Sequence, residues 1–109
     1  MQDLITKVIK FRNERNWGQY HNPKDLAISL NLEASELLEL FQWKTSEEAV
    51  SNSKFDMADE IADIIIYSLI FCNELNFDPE TIVNQKLQKN NEKYPISKAY
   101  GSNKKYDEL

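Results

Sequence analysis

The sequence holds one cysteine, one histidine, two glycines and three prolines in 109 residues, and each scarcity excludes something. With Cys72 alone no internal disulfide can form, so the chain is not a cysteine-stapled secreted scaffold. No basic residue adjoins Cys72 to lower its pKa, and packing is the expected role of its thiol. A lone histidine, His21, leaves the chain without the Glu-x-x-His element that ferritin-like di-iron bundles carry on two helices. Two glycines far apart cannot build a glycine-rich phosphate loop. Strand alternation, internal repeats and low-complexity segments are absent. The opening MQDLITKVIK lacks an apolar stretch behind a basic start, which argues against a secretory signal. The most apolar run, residues 61 to 72, is interrupted by Asp63 and falls short of the roughly 20 residues that cross a bilayer. A basic surplus is missing too: the formal net charge is -5, and no cationic face is concentrated enough to hold a nucleic-acid polymer. A cytoplasmic protein, with neither membrane nor nucleic-acid polymer among its partners, is expected.

What is present is helical. Hydrophobic residues make up 41% and charged residues 28%, a balance that folds as one globular domain of ordinary size. Leu4, Ile5, Val8, Ile9 and Phe11 recur at helical spacing and predict a first helix over 3–14. Asn22-Pro23-Lys24-Asp25 combines a cap, a proline at the first helical position and an acid, which predicts a second helix from there to about Gln42. Residues 44 to 53 are polar and mixed, and read as a loop. Ser53 and Asp56 are spaced as a capping box for a third helix over 54–75. Asp78-Pro79 repeats the start signal, with Ile82, Val83, Leu87 and Asn90 continuing a fourth helix to about Lys93. The expected organisation is a helical domain over 1–95 and an extended or partly disordered tail over 96–109. The fold class is all-α, a four-helix bundle.

The acids of this bundle are oddly placed. Each helical residue advances about 100°, so Leu26, Leu30, Leu37, Leu40 and Phe41 form one stripe, and Glu33 falls inside it. Glu36 lies on the stripe's edge and Glu39 further towards solvent. On the third helix IADIIIYSLIFC is apolar on nearly every side, which implies a helix surrounded by protein and hence a dimer or dimer of dimers. Glu60 and Asp63 share a face of that helix with Asp56 and Tyr67. Two pairs one turn apart, Glu33/Glu36 and Glu60/Asp63, therefore project inward from helices that a short connection makes antiparallel neighbours. At about 5 Å and an effective dielectric near 20, each pair of like charges repels by about 3 kcal/mol. Hard oxygen ligands in such a cluster suit Mg²⁺ or Mn²⁺, and such ions commonly carry substrate phosphates.

These residues resemble the all-α nucleotide pyrophosphohydrolases of the MazG-like family, whose Glu-x-x-Glu, spacer, Glu-x-x-Asp signature reads here as EASE at 33–36 and EIAD at 60–63. "NWGQYHNP" before the acids, "ELLELFQWK" among them and "KNNEKYP" after them are similar to the branch that includes dCTP pyrophosphatases. The resemblance implies hydrolysis of a nucleoside triphosphate, of dCTP or modified-pyrimidine type, to monophosphate and pyrophosphate with Mg²⁺, for which Mn²⁺ can substitute. A house-cleaning role in the nucleotide pool would follow. The resemblance assigns Glu33, Glu36, Glu60 and Asp63 as metal ligands, with Glu36 or Glu33 as the carboxylate that orients or deprotonates the attacking water. On the fourth helix Lys86, Asn90 and Lys93 match its phosphate-binding segment; they lie at i, i+4 and i+7 on one face. Trp17, His21, Trp43 and Tyr67 stand at its nucleoside-pocket positions. Read without it, Trp43 could equally plug the core at a helix end, His21 could help cap the second helix, and the lysines could form a solvated face. Ser35 departs from the glycine of dCTP-cleaving animal relatives, which bears on substrate preference. The competing reading is a non-catalytic helical oligomerisation or partner-binding module, which the all-round apolar third helix supports and the complete set of acids opposes.

Overall fold

A computed structural model describes all 109 residues. The elements are helical throughout: α1 (Gln2–Glu14), α2 (Pro23–Glu39), α3 (Ser46–Glu74), α4 (Pro79–Lys93) and the single turn α5 (Ile96–Ala99), with 3-10 turns at Trp17–Tyr20 and Tyr106–Glu108. The architecture is all-α. Two compact units divide the chain, Met1–Asn76 and Phe77–Leu109.

In the first unit α3 is the central element, with α2 and α1 packed on it. The starts of the helices follow from local chemistry. Asn22 accepts a hydrogen bond from the Asp25 backbone N–H at 3.0 Å, and Pro23 occupies the first helical position, where its missing N–H costs nothing. At the far end of α2 the amides of Leu40, Phe41 and Gln42 bond to carbonyls three residues back, tightening the helix until it stops. Trp43 then takes a left-handed conformation, φ 63°, and turns the chain towards α3.

The polar stretch expected as a loop is instead the beginning of α3. Thr45 caps it, its hydroxyl accepting from the Glu48 backbone N–H at 3.2 Å, and Glu47 and Glu48 favour the positive end of the helix dipole. Ser53, expected as a cap, sits inside the helix at a kink with φ -136° and ψ 26°. The kink resets the helical pattern there.

Val8, Leu26, Leu69 and Ile70 form the buried cluster, with Ile5, Ile9, Tyr67 and Phe71 packed around it. Ala49 is buried as well, in the first turns of α3. Leu26 of α2 meets Leu69 and Ile70 of α3 in this cluster. Two to three turns nearer the connection on each helix, the same antiparallel register brings Glu33 and Glu36 opposite Glu60. Other apolar side chains of α3 stay outside: Phe55, Ile61 and Ile65 are exposed.

In the second unit Asp78 caps α4, accepting from the Thr81 backbone N–H and hydroxyl. These two bonds hold its carboxyl below the usual range. The segment expected as an extended or partly disordered tail contains α5 and the Tyr106–Glu108 turn. Tyr106 packs its ring edge-to-face on Tyr94, 6.2 Å between centroids, beneath the Lys93 ammonium at 4.9 Å.

Candidate active site

Three of the expected ligands come together. Glu33 and Glu36 from α2 and Glu60 from α3 each offer a carboxylate oxygen, all within 4.8 Å of one another. Glu33 and Glu60 are half-buried, Glu36 is exposed, and Oε2 of both Glu33 and Glu60 is buried with no hydrogen-bond partner. A buried acceptor without a partner is unusual in a folded protein and calls for one. Burial first, then the Glu36 and Asp63 charges, raise the Glu33 carboxyl. Burial and the neighbouring Glu36 and Glu33 push Glu60 up to about 7. A cluster of oxygen donors that resists carrying its full charge alone fits a hard divalent cation.

Asp63 stands one turn beyond Glu60. It acts on Glu33 electrostatically and also lines a cavity of about 410 Å³ beside the acids. α1 contributes Val8, Phe11 and Arg12 to that cavity, the chain after α1 contributes Trp17 and His21, and α3 contributes Tyr67 and Ile70. Asp63, Tyr67 and Ile70 fall at i, i+4 and i+7, so one face of α3 runs from the acids along the cavity wall. The walls are largely apolar and the volume is that of a small-ligand site.

Trp17, His21 and Tyr67 are thus brought to one cavity. The His21 ring meets Tyr67 edge-on at 6.4 Å, and Trp17 meets Phe11 edge-on at 5.7 Å. His21 does not cap α2, since Asn22 does. Its Nδ1 is buried without a partner, and burial and the Arg12 charge lower its pKa, so the ring is neutral near pH 7. Trp43 is elsewhere: at 92% exposure it neither plugs the core nor lines this cavity. Lys86, Asn90 and Lys93 lie on α4 in the second unit, with Asn90 half-buried and both lysines exposed.

The sequence reading passed over Arg12, the one buried charged residue. Its Nη1 donates to Glu74 Oε1 at 2.6 Å, tying α1 to α3. An arginine in the last turn of a helix is ordinarily read as a solvated charge, and its partner is far off in sequence.

The MazG-like family model matches residues 28–109. The chain belongs to the MazG-like family. Among relatives of this MazG-like chain, dCTP pyrophosphatase 1 of Homo sapiens is 32% identical over 114 residues, spanning all of this chain and 67% of the relative. The Bos taurus dCTP pyrophosphatase 1 is also 32% identical, with 68% of its length covered. Among solved structures, a pyrophosphatase from Archaeoglobus fulgidus DSM 4304 superimposes with a TM-score of 0.81 at 40% identity, covering 87% of this chain and 92% of that one. The resemblance read from the motifs therefore holds for the MazG-like family and for its dCTP pyrophosphatase branch.

Proposed function

We propose that this protein, a nucleotide pyrophosphohydrolase, splits a deoxynucleoside triphosphate of dCTP or modified-pyrimidine type into monophosphate and pyrophosphate, using Mg²⁺ held by Glu33, Glu36, Glu60 and Asp63. The observation that carries the reading is the meeting of Glu33, Glu36 and Glu60 oxygens within 4.8 Å, one turn of α3 from Asp63 on the wall of a largely apolar cavity. Mn²⁺ satisfies the same oxygen donors. When bound, the cation neutralises charge on the phosphates and lowers the pKa of water.

The chain's own part is positioning. Glu33 and Glu60 would hold the cation through carboxylates with buried oxygens, and the exposed Glu36 orients or deprotonates the attacking water, with Glu33 as the alternative. Water attack breaks the bond between the α and β phosphates. Phosphoryl chemistry of this kind needs no side-chain nucleophile. Lys86, Asn90 and Lys93 share one face of α4 and are suited to bind phosphate oxygens. Trp17, His21 and Tyr67 enclose the base; the exposed Trp43 offers a further stacking ring.

The functional unit is a homo-oligomer, because Phe55 at 85% exposure and Ile61 and Ile65 at 44% and 46% leave α3 with an apolar surface that a second copy would cover. No helix is long and apolar enough to cross a membrane. The test is a panel of deoxynucleoside triphosphates incubated with Mg²⁺ and the products separated. Monophosphate plus pyrophosphate supports the reading, whereas diphosphate plus phosphate, or no turnover, removes it.

A further inference from the structure

Glu74 lies three helical turns beyond Asp63 on α3, about 16 Å along the axis. Arg12 meets it there, so the cavity has an acidic end at Asp63 and a cationic end at Arg12. That cation is held unusually firmly. Its side chain is 10% exposed; Nη1 donates to Glu74 Oε1 at 2.6 Å, and Nε and Nη2 both donate to Asn13 Oδ1, at 3.2 and 3.1 Å. A guanidinium has five N–H groups in a rigid fork, and these bonds commit three. The remaining two belong to a group that cannot swing away to water. Around it the wall is apolar, with Val8, Phe11 and Ile70.

We propose that Arg12 is a specificity-determining residue, whose fixed guanidinium donates to a ring carbonyl oxygen of the bound base and so favours oxo-bearing bases over bases without one. This rests on the reading of the cavity as the nucleoside site. In a mostly apolar site a fixed, buried donor discriminates, because a ligand lacking the acceptor leaves that donor buried and unpaired. With phosphates at the acids, the base extends along the Asp63, Tyr67 and Ile70 face towards Arg12. Lysine keeps a charge opposite Glu74 but lacks the two N–H groups that the Arg12 fork leaves uncommitted. Recognition asks for the fork.

The experiment compares kcat and KM for dCTP with those for a pyrimidine triphosphate whose base lacks the ring carbonyl, in the full chain with Mg²⁺. Arg12→Lys keeps the charge opposite Glu74, and Arg12→Met with Glu74→Met removes the pair without stranding either charge. The preference for the oxo substrate is expected to fall about 10- to 100-fold in both variants, through KM rather than kcat. A preference unchanged in either variant, with helical circular dichroism intact, overturns the proposal, as does an equal loss for both substrates. If the wild-type chain cleaves inorganic tripolyphosphate as well as dCTP, the nucleoside reading of the cavity fails and takes the role of Arg12 with it. An unchanged preference removes Arg12 alone.

Discussion

Glu33 on α2 and Glu60 on α3 approach across the helix interface, and each keeps its Oε2 buried without a partner. The Glu60 carboxyl, near 4.5 when unfolded, rises to about 7 in the folded chain through burial and the adjacent Glu36 and Glu33. A raised acid binds its proton more tightly when folded. Its contribution to stability is therefore full below pH 4.5 and is lost as pH climbs from 4.5 through about 7. Glu33 works in the same direction, and His21, whose pKa is lowered, works in the opposite one. The clean comparison is Glu60→Gln against wild type without metal. The variant's advantage in Tm is expected to grow between pH 5 and pH 8, and saturating Mg²⁺ is expected to reverse it by stabilising only the wild type. Parallel Tm curves across that range would contradict the buried-acid account.

The same cluster separates fold from turnover. Glu36→Gln or Asp63→Asn removes a like charge from a site with no bound cation, so the fold should lose nothing. Catalysis should fall on the order of 100-fold or more, as when a preorganised charge-stabilising group is deleted. Circular dichroism and Tm would report the first effect and pyrophosphate release the second. Either variant turning over near the wild-type rate would mean that its carboxylate is not a ligand.

Arg12 and Glu74 offer a stability test that is independent of substrate. Breaking a fully buried ion pair costs about 3–5 kcal/mol, because the remaining charge is stranded. Glu74 keeps 29% of its side-chain exposure, so Glu74→Ala should cost less, about 2 kcal/mol by urea denaturation. Converting both residues to methionine should recover most of that loss, since neither charge is then left alone. A double variant as unstable as the single would show that packing, not charge, holds the two helices together there.

Helix existence was readable wherever a cap and a proline coincide, at Asn22-Pro23 and Asp78-Pro79, since both signals act within four residues of chain. The first turns of α3 escaped because residues 46 to 53 carry almost no apolar period, and the kink at Ser53 breaks what period there is. Thr45 and Glu48 held the missed cap. The approach of Glu33 and Glu36 to Glu60 was legible because the acids on each helix lie one turn apart and the connection is short, whereas Asp63, also expected in that group, lines the cavity instead. Arg12 was not legible: its burial depends on Glu74, 62 residues away, and periodicity says nothing about such a partner. The exposure of Trp43 was equally hidden, because periodicity does not say whether a residue just past a helix end turns inward or outward.

The Thr45 cap makes its own prediction. Thr45→Ala removes the acceptor for the Glu48 N–H and should cost about 1 kcal/mol. Hydrogen exchange should localise the loss to residues 46–52, on the N-terminal side of the kink, while amides near Leu69 and Ile70 keep their protection. Equal loss along all of α3 would mean that the kink does not divide the helix energetically.

Trp43 combines two costs with no visible return inside the chain. A left-handed conformation is unfavourable for a residue with a Cβ by about 1–2 kcal/mol, and a ring at 92% exposure gains almost nothing from burial. Glycine adopts the same φ without strain, at a cost of about 0.5–1 kcal/mol in unfolded-chain entropy. Trp43→Gly should therefore leave stability unchanged or raise it by up to about 1 kcal/mol. If the ring stacks on a bound base, the same change should raise KM for dCTP roughly tenfold, the worth of one stacking contact of about 1–3 kcal/mol, while kcat holds. Strain kept at a position that function needs would show as this opposition of Tm and KM. A variant with unaltered KM would remove Trp43 from the nucleoside site and leave its backbone conformation a property of the turn alone.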